Sequence, residues 1–190
     1  MKVNKKYNCL FIGNAIVDVV SEVSFDFLEK QKIEVGSWRP VSINEINELQ
    51  EKMSNTIIAS GGSAANSAVG FSLLGGRSAF IGRVKSDDFG SLYINDLKEA
   101  NVDFISNPVD TGNETGRCLV YVSPDAQRSM RTYLGAASNL SPENLDINDK
   151  KSELPIGVSC RTCDRLDCSQ RAFPPLHKKF DVDIDNRGVS

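Results

Sequence analysis

The sequence lacks an apolar run long enough to cross a membrane, and it lacks an excess of basic charge. A membrane-spanning helix needs about 20 consecutive apolar residues, and no stretch of this chain approaches that length. The net charge of -3 argues against a general nucleic-acid surface, because phosphate binding needs clustered Lys and Arg. The apolar stretch after the basic residues 1–7 has no small-residue cleavage site, which argues against a signal peptide. We therefore expect a cytoplasmic protein with no membrane or nucleic-acid partner.

Cysteine is scarce over most of the chain, where only Cys9 and Cys118 occur before a late cluster. Both lie within apolar runs, which favours buried thiols in a reducing compartment over disulfides. The late cluster contains Cys160, Cys163 and Cys168. Together with His177 these thiols could supply four ligands for zinc, but no flanking pair of ligands accompanies them. The sequence therefore favours reactive or buried thiols over a metal site.

The chain does contain an alternation of short apolar runs and amphipathic segments. Residues 8–12 are typical of a strand buried on both faces, and we place this strand at the centre of a parallel sheet. Further strands are predicted at 57–58, 78–82 and 102–105. Helices are predicted to begin near Ser42, after Gly62, and at Asp87 or Asp88. The second helix is predicted to end at Gly75-Gly76. Its apolar residues at helical spacing are Ala65, Ala68, Val69 and Leu73. This alternation predicts an α/β fold, a parallel sheet with helices on both faces.

The pattern changes after Pro108, where two strand-like segments, 117–123 and 128–134, flank a turn with Pro124 at its first central position. We predict a β-hairpin here. A hairpin that projects from the sheet edge could close over a bound ligand as a lid, and a plain edge hairpin is the alternative. The same hairpin could pair two copies of the chain as a homodimer.

Small residues dominate 59–68, where the adjacent Gly61 and Gly62 precede what resembles the capped first turn of a helix, with Asn66 one turn in. Asn14 and Asp18 lie at 13–18, interpreted as a turn that leaves the carboxyl end of the first strand, where open α/β sheets bind ligands. The alternatives are a close-packed strand-to-helix turn and an Asx turn beside a solvated carboxylate. The five residues together predict a polyol or nucleoside site.

These segments together resemble the ribokinase and adenosine kinase family, also called the PfkB carbohydrate kinases. The resemblance covers about residues 7–145 and is carried by Gly13-Asn14 with Asp18, Gly-Gly-Ser-Ala-Ala-Asn at 61–66, Leu-Gly-Gly-Arg-Ser-Ala-Phe-Ile-Gly-Arg-Val at 74–84, and Asp-Asp-Phe-Gly at 87–90. It implies a ribokinase-like fold, ATP and Mg as cofactors, and a sugar or nucleoside as the small-molecule substrate. It also implies that Asp18 and Asn66 bind sugar hydroxyls, that Gly61 and Gly62 bring the backbone to the sugar, and that Asn14 lines the pocket.

The family's catalytic base, anion hole and nucleotide site lie in a C-terminal half around a Gly-Ala-Gly-Asp motif, which this sequence does not contain. Residues 154–177 instead resemble the C-terminal tail of helix-turn-helix regulators of the short-chain fatty acyl type. We therefore expect a truncated ribokinase-like domain with a hairpin lid at 1–147, an unrelated, irregular Cys-rich tail at 148–190, and no catalytic residues. A kinase fragment that is inactive alone is the first hypothesis. The alternatives are a non-catalytic sugar- or nucleoside-binding module and a regulatory fusion that acts through the tail.

Overall fold

Two separate sheets organise residues 6–141, the part of the chain that the computed structural model describes. The first sheet is parallel, with strand order β1-β5-β6, and consists of β1 (Cys9–Ile12), β5 (Ser78–Ile81) and β6 (Val102–Phe104). The second sheet is mixed, with order β3-β8-β7-β2-β4, and consists of β2 (Ile16–Glu22), β3 (Trp38–Pro40), β4 (Ile57–Gly61), β7 (Gly116–Val122) and β8 (Arg128–Tyr133). The predicted α/β class is confirmed.

The helices of the described residues are α1 (Phe25–Lys30), α2 (Ile43–Gln50), α3 (Ser63–Leu73), α4 (Asp88–Glu99) and a 3-10 helix (Gly135–Asn139). Ser42 caps α2, as predicted, because its hydroxyl accepts a hydrogen bond from the Glu45 N–H at 3.3 Å. Asp87 caps α4 in the same way through the Gly90 N–H at 2.8 Å. These side chains satisfy backbone donors that have no partner inside the helix.

The predicted glycine stop of α3 is confirmed. The Gly75 N–H bonds to the Ser72 carbonyl, the Gly76 N–H bonds to the Phe71 carbonyl, and Gly75 has a φ of 87°. These two backbone hydrogen bonds form a Schellman motif, in which the residue after the helix, here Gly75, has a left-handed conformation. Leu73, which helical spacing placed on the buried face, is instead 78% exposed at the end of the helix.

The central position predicted for the first strand is wrong for the described residues. β5 is the middle strand of the first sheet and all four of its residues are buried, whereas β1 has β5 as its one partner strand within residues 6–141. Leu10 and Ile12 on β1 are 42% and 49% exposed. An apolar run alone does not distinguish a central strand from an edge strand with one uncovered face, and here tertiary pairing decided the matter.

The segment 13–18, expected to be a turn, is only partly one. β2 begins at Ile16 and runs for seven residues, so Asp18 lies inside a strand. β2 pairs antiparallel with β4 and parallel with β7. It therefore joins the segment before α3 to the predicted hairpin.

The predicted hairpin is confirmed as β7 and β8, with a turn in which the Ala126 N–H bonds to the Ser123 carbonyl at 2.8 Å. It is not an isolated projection, because β7 is the middle strand of the second sheet. One face of this sheet packs on α1 and α2 through a buried cluster of Val19, Leu28, Ile33, Ile46, Leu49, Leu119 and Tyr121. The other face carries Asp18.

Several predictions fall outside the described residues. These are the domain boundary near 148, the resemblance to a regulator tail, and the thiol cluster with His177. The division into 1–147 and 148–190 therefore stays a prediction. Within residues 6–141, helices are too short or too polar to cross a membrane.

Candidate functional site

The centre of the candidate site is Asp18, the one acidic residue in the middle of an apolar strand. Its neighbours Val17 and Val19 are fully buried on the opposite face, where they anchor β2 to the helices. Strand alternation then sends Asp18 to the other face. There it lies opposite Ala59 of β4 on one side and Cys118 of β7 on the other.

Gly61 and Gly62 are both required beside Asp18, for different reasons. A Cβ placed on Gly61 would lie 2.7 Å from Oδ1 of Asp18 and would displace the carboxylate. Gly62 has a φ of 93°, which disfavours any side chain, and a Cβ there would lie 2.6 Å from the Asn14 carbonyl oxygen. The small residues therefore let the end of β4 pack directly against Asp18 and Asn14.

Asn14 and Asn66 complete the predicted set. Asn14 lies between β1 and β2 with an exposed side chain, and its backbone contacts Gly62. Asn66 lies in the first turn of α3, where its N–H bonds to the Gly62 carbonyl at 2.9 Å. Gly62 occupies the cap position and has no side chain, so α3 begins where the sequence predicted but lacks the side-chain cap expected there. The structure thus brings Asp18, Gly61, Gly62, Asn14 and Asn66 together around one turn.

The electrostatic environment of Asp18 is unfavourable for a charge. Burial raises the pKa of the Asp18 carboxyl above its ordinary value of 3.8, and the positive charge of Arg128 only partly offsets this. Within the described residues the carboxylate accepts no hydrogen bond. A half-buried carboxylate that lacks protein donors is costly to the fold, and it is well suited to accept hydrogen bonds from ligand hydroxyls.

Two buried groups adjoin Asp18. Burial raises the pKa of the Cys118 thiol to about 11, against the hydrogen bond that the Thr132 hydroxyl donates to its sulfur at 3.2 Å, and the Asp18 charge adds to the rise. Burial also raises the pKa of Tyr93, with a further contribution from Asp18. Both groups therefore stay protonated at neutral pH, and neither competes with Asp18 as a charged acceptor.

Sequence reasoning missed Arg128, Cys118 and Tyr93. Each reaches the site through long-range pairing of β7 and β8 with β2 or through the packing of α4, and no local motif marks them. The signal that was available is the alternation within the hairpin: Cys118 and Arg128 fall on one face once their register with β2 is known. That register cannot be predicted from the local sequence.

Among residues 6–141 no group of three or more His, Cys, Asp or Glu side chains is placed to hold a metal ion. No residue in this part of the chain is therefore assigned to Mg or to a nucleotide. The predicted zinc ligands Cys160, Cys163, Cys168 and His177 lie outside the described residues.

Comparison with known proteins gives a family match. The model of the pfkB family carbohydrate kinases matches residues 28–162. The chain is 36% identical over 90 residues to probable fructokinase-6, chloroplastic, of Arabidopsis thaliana, a match that covers 47% of this chain and 23% of that protein. In structure it is similar to the adenosine kinase from Sinorhizobium meliloti, with a TM-score of 0.70 and 39% identity, over 75% of this chain and 43% of that one. The chain thus spans less than half the length of these relatives.

A second, separate similarity involves a regulator. A stretch of 47 residues is 53% identical to the propionyl-CoA carboxylase regulator of Cereibacter sphaeroides, which is 25% of this chain and 10% of that protein. The resemblance of residues 154–177 to a regulator tail stays a prediction, and this similarity to a regulator is its support.

Proposed function

The chain belongs to the pfkB family of carbohydrate kinases, and on that premise we propose that residues 6–141 form the substrate-binding part of an ATP-dependent sugar or nucleoside kinase. In this proposal Asp18 accepts hydrogen bonds from two neighbouring hydroxyls of the sugar ring. Asn66 donates and accepts at the same ring, and Asn14 borders the pocket. Gly61 and Gly62 let the ring approach the backbone.

One observation carries this proposal: the Asp18 carboxylate is half-buried, accepts no hydrogen bond within the described residues, and is packed against Gly61 so closely that a Cβ on that residue would not fit. A partly buried aspartate with a purely structural role would normally cap a helix or form an ion pair with a Lys or Arg side chain. Asp87 and Asp26 of this chain do those things. Ligand hydroxyls would supply the donors that Asp18 is missing.

The phosphate donor is assigned by family alone. ATP with Mg is the expected donor, and phosphoryl transfer depends on positioning and on charge stabilisation around the transferring group. The described residues contain no metal-binding cluster, so no step that involves ATP or Mg is assigned to them. Their contribution is to bind the acceptor sugar and to fix the orientation of its hydroxyls.

Titration calorimetry of the 190-residue chain with adenosine, fructose and ribose tests the proposal. Asp18→Ala should weaken binding of the preferred ligand by about 1.5–3 kcal/mol, the range for a hydrogen bond to a charged group. Asp26→Ala is the matched control, because Asp26 is an exposed carboxylate that pairs with Lys30 on α1. That variant should bind as the wild type does.

Equal affinities of the Asp18→Ala variant and the wild type for every ligand would overturn the assignment of Asp18. Failure of the wild type to bind any of the three ligands would overturn the proposed function of this part of the chain.

A further inference from the structure

Helix α4 contacts the end of β4 through two polar side chains to which the proposed function assigns no role. The Tyr93 hydroxyl donates to the Gly61 carbonyl at 3.3 Å, and Oδ2 of Asp96 accepts from the Ser60 N–H at 2.7 Å. Tyr93 and Asp96 are three residues apart, so they lie on the same face of the helix. One helix face therefore bonds both the last carbonyl and a nearby N–H of the strand that leads into the glycine turn.

These contacts differ from ordinary helix packing. The rest of the buried face of α4 is apolar, with Leu97 fully buried in a cluster that includes Phe80 and Val102. β4 is an edge strand of the second sheet, so it presents backbone groups with no partner strand. Asp96 satisfies one of these groups with a charge-assisted bond, which is among the stronger kinds.

The two bonds end one residue apart, next to Asp18. Gly61 lies against the Asp18 carboxylate so closely that no Cβ fits between them. A shift of a few tenths of an ångström in Gly61 would therefore move the carboxylate or open a gap beside it. No other side chain among residues 6–141 hydrogen-bonds to the backbone of Ser60 or Gly61.

We propose that Tyr93 and Asp96 are positioning residues, a clamp from α4 that holds Ser60 and Gly61 in place and thereby sets the position of the Asp18 carboxylate for hydroxyl binding. This inference rests on the proposed function of Asp18. The clamp touches no ligand itself. It acts through the backbone of β4 and through the close contact between Gly61 and Asp18.

The variants separate the clamp from simple packing. Tyr93→Phe removes the hydroxyl and keeps the ring, and Asp96→Ala removes the acceptor. Asp96→Asn keeps an oxygen that can accept from Ser60, so it should rescue most of the loss. Tyr121→Phe is the matched control, because Tyr121 is also fully buried but its hydroxyl has no partner among the described residues.

Calorimetry with whichever of adenosine, fructose or ribose the wild type binds gives the first measurement. Tyr93→Phe and Asp96→Ala should each weaken binding roughly three- to tenfold, the effect of losing one hydrogen bond. Asp96→Asn and Tyr121→Phe should stay within about twofold of the wild type. In an Asp18→Asn background, Tyr93→Phe should change affinity by less than about twofold, because residues that act through one another are not additive.

Hydrogen exchange of the backbone amides gives a second measurement that needs no ligand. Exchange at residues 60–62 should be faster in Tyr93→Phe and Asp96→Ala than in Tyr121→Phe. The clamp is overturned if Tyr93→Phe and Asp96→Ala bind the ligand as the wild type does. It is also overturned if the loss of affinity caused by Tyr93→Phe adds fully to the loss caused by Asp18→Asn. The proposed function still stands in either case, provided that the wild type binds and Asp18→Ala weakens binding. Unchanged exchange at residues 60–62 overturns the clamp whatever the ligand result. A wild type that binds none of the three ligands overturns both.

Discussion

Asp18 occupies a position that lowers the stability of the protein. Its carboxylate is half-buried on a strand whose other residues are mostly apolar, and burial raises its pKa above 3.8. Nothing among the described residues donates a hydrogen bond to it, and Arg128 compensates only through its charge. A residue that is unfavourable for the fold but is surrounded by glycines that accommodate it is characteristic of a binding site.

Asp18→Asn should therefore have opposite effects on stability and on binding. Because the pKa of Asp18 is raised, the folded state holds the proton more tightly than the unfolded chain. The stability that Asp18 contributes is then fully present below the unfolded pKa and is lost as the pH rises through the folded pKa. Asparagine carries no charge at any pH, so the Asp18→Asn variant does not lose stability as the pH rises. Its Tm at neutral pH should therefore equal or exceed that of the wild type.

Ligand binding should show the reverse dependence on pH, because hydroxyl donors need the ionised carboxylate. Wild-type affinity should fall as the pH drops through the raised pKa of Asp18, and the affinity of Asp18→Asn should be weaker and flat over the same range. Thermal melts and calorimetry between about pH 3 and pH 8 measure both. Asp26→Asn serves as the exposed control. A Tm for Asp18→Asn well below the wild type at neutral pH would show that Asp18 stabilises the fold instead.

The proximity of the five candidate residues was easier to predict from the sequence than the groups that surround them. Gly61 and Gly62 are recognisable because a diglycine before a helix implies close backbone approach, and Asp18 is recognisable as an acid after an apolar strand. Tyr93 and Arg128 carry no such mark. They reach Asp18 through the packing of α4 and through the β7–β8 register, which depend on contacts distant in sequence.

At the level of elements, most of the features that depend on neighbouring residues were predicted correctly. The caps at Ser42 and Asp87, the glycine stop after α3 and the Pro124 turn all depend on neighbouring residues, and all were predicted. β2 was missed because Asp18 interrupts its apolar pattern. Its existence depends on pairing with β4 and β7, which lie about 40 and 100 residues further along the chain. The exposure of β1 likewise depends on which elements cover it.

Arg117 connects three of these elements. It begins the hairpin on β7, is 5% exposed, and donates to Oε1 of Gln50 at 2.7 Å and to Oδ1 of Asn47 at 2.8 Å, both on α2. It also bonds to Glu114 at 3.0 Å, and its guanidinium lies 5.1 Å from the centre of the Phe89 ring at the start of α4. One buried side chain thus fixes the base of the hairpin to two helices.

Arg117→Met should lower the free energy of unfolding by about 2–3 kcal/mol. Methionine keeps an apolar stem of similar length, but it removes the hydrogen bonds and leaves the acceptors on α2 without their donor. Urea denaturation measures the loss. Arg77→Met is the control, because Arg77 is exposed and should stay within about 0.5 kcal/mol of the wild type. If both variants unfold at the same urea concentration, Arg117 does not connect the elements energetically.

At the scale of the whole molecule, large apolar side chains are exposed on the outer strands of both sheets in the described part of the chain. Ile57 on the edge strand β4 is 70% exposed, Trp38 on the opposite edge strand β3 is 59% exposed, and Ile12 on β1 is 49% exposed. Exposed apolar edges favour association with another chain or element. The homodimer through the hairpin, proposed from the sequence, stays a prediction.

The last prediction concerns turnover by the 190-residue chain. Hydroxyls held by Asp18 and Asn66 do not attack a phosphate unless a base accepts the proton and preorganised donors stabilise the transferring group. Among the described residues Asp18 is the only candidate acceptor in the site, and no metal-binding cluster accompanies it. The family's Gly-Ala-Gly-Asp motif does not occur in the sequence. We therefore expect binding of the sugar or nucleoside without phosphorylation.

A radiolabelled ATP assay against adenosine, fructose and ribose measures this directly. The comparison protein is a chimera in which the C-terminal half of a pfkB family kinase follows Leu145. Activity in the chimera, with none in the 190-residue chain, would agree with a substrate-binding part that needs catalytic groups from elsewhere. Asp18→Ala in the chimera should then raise KM or abolish turnover, because the acceptor is no longer oriented. Phosphorylated product from the 190-residue chain well above background would show that the residues outside 6–141 supply a base and an anion site without that motif.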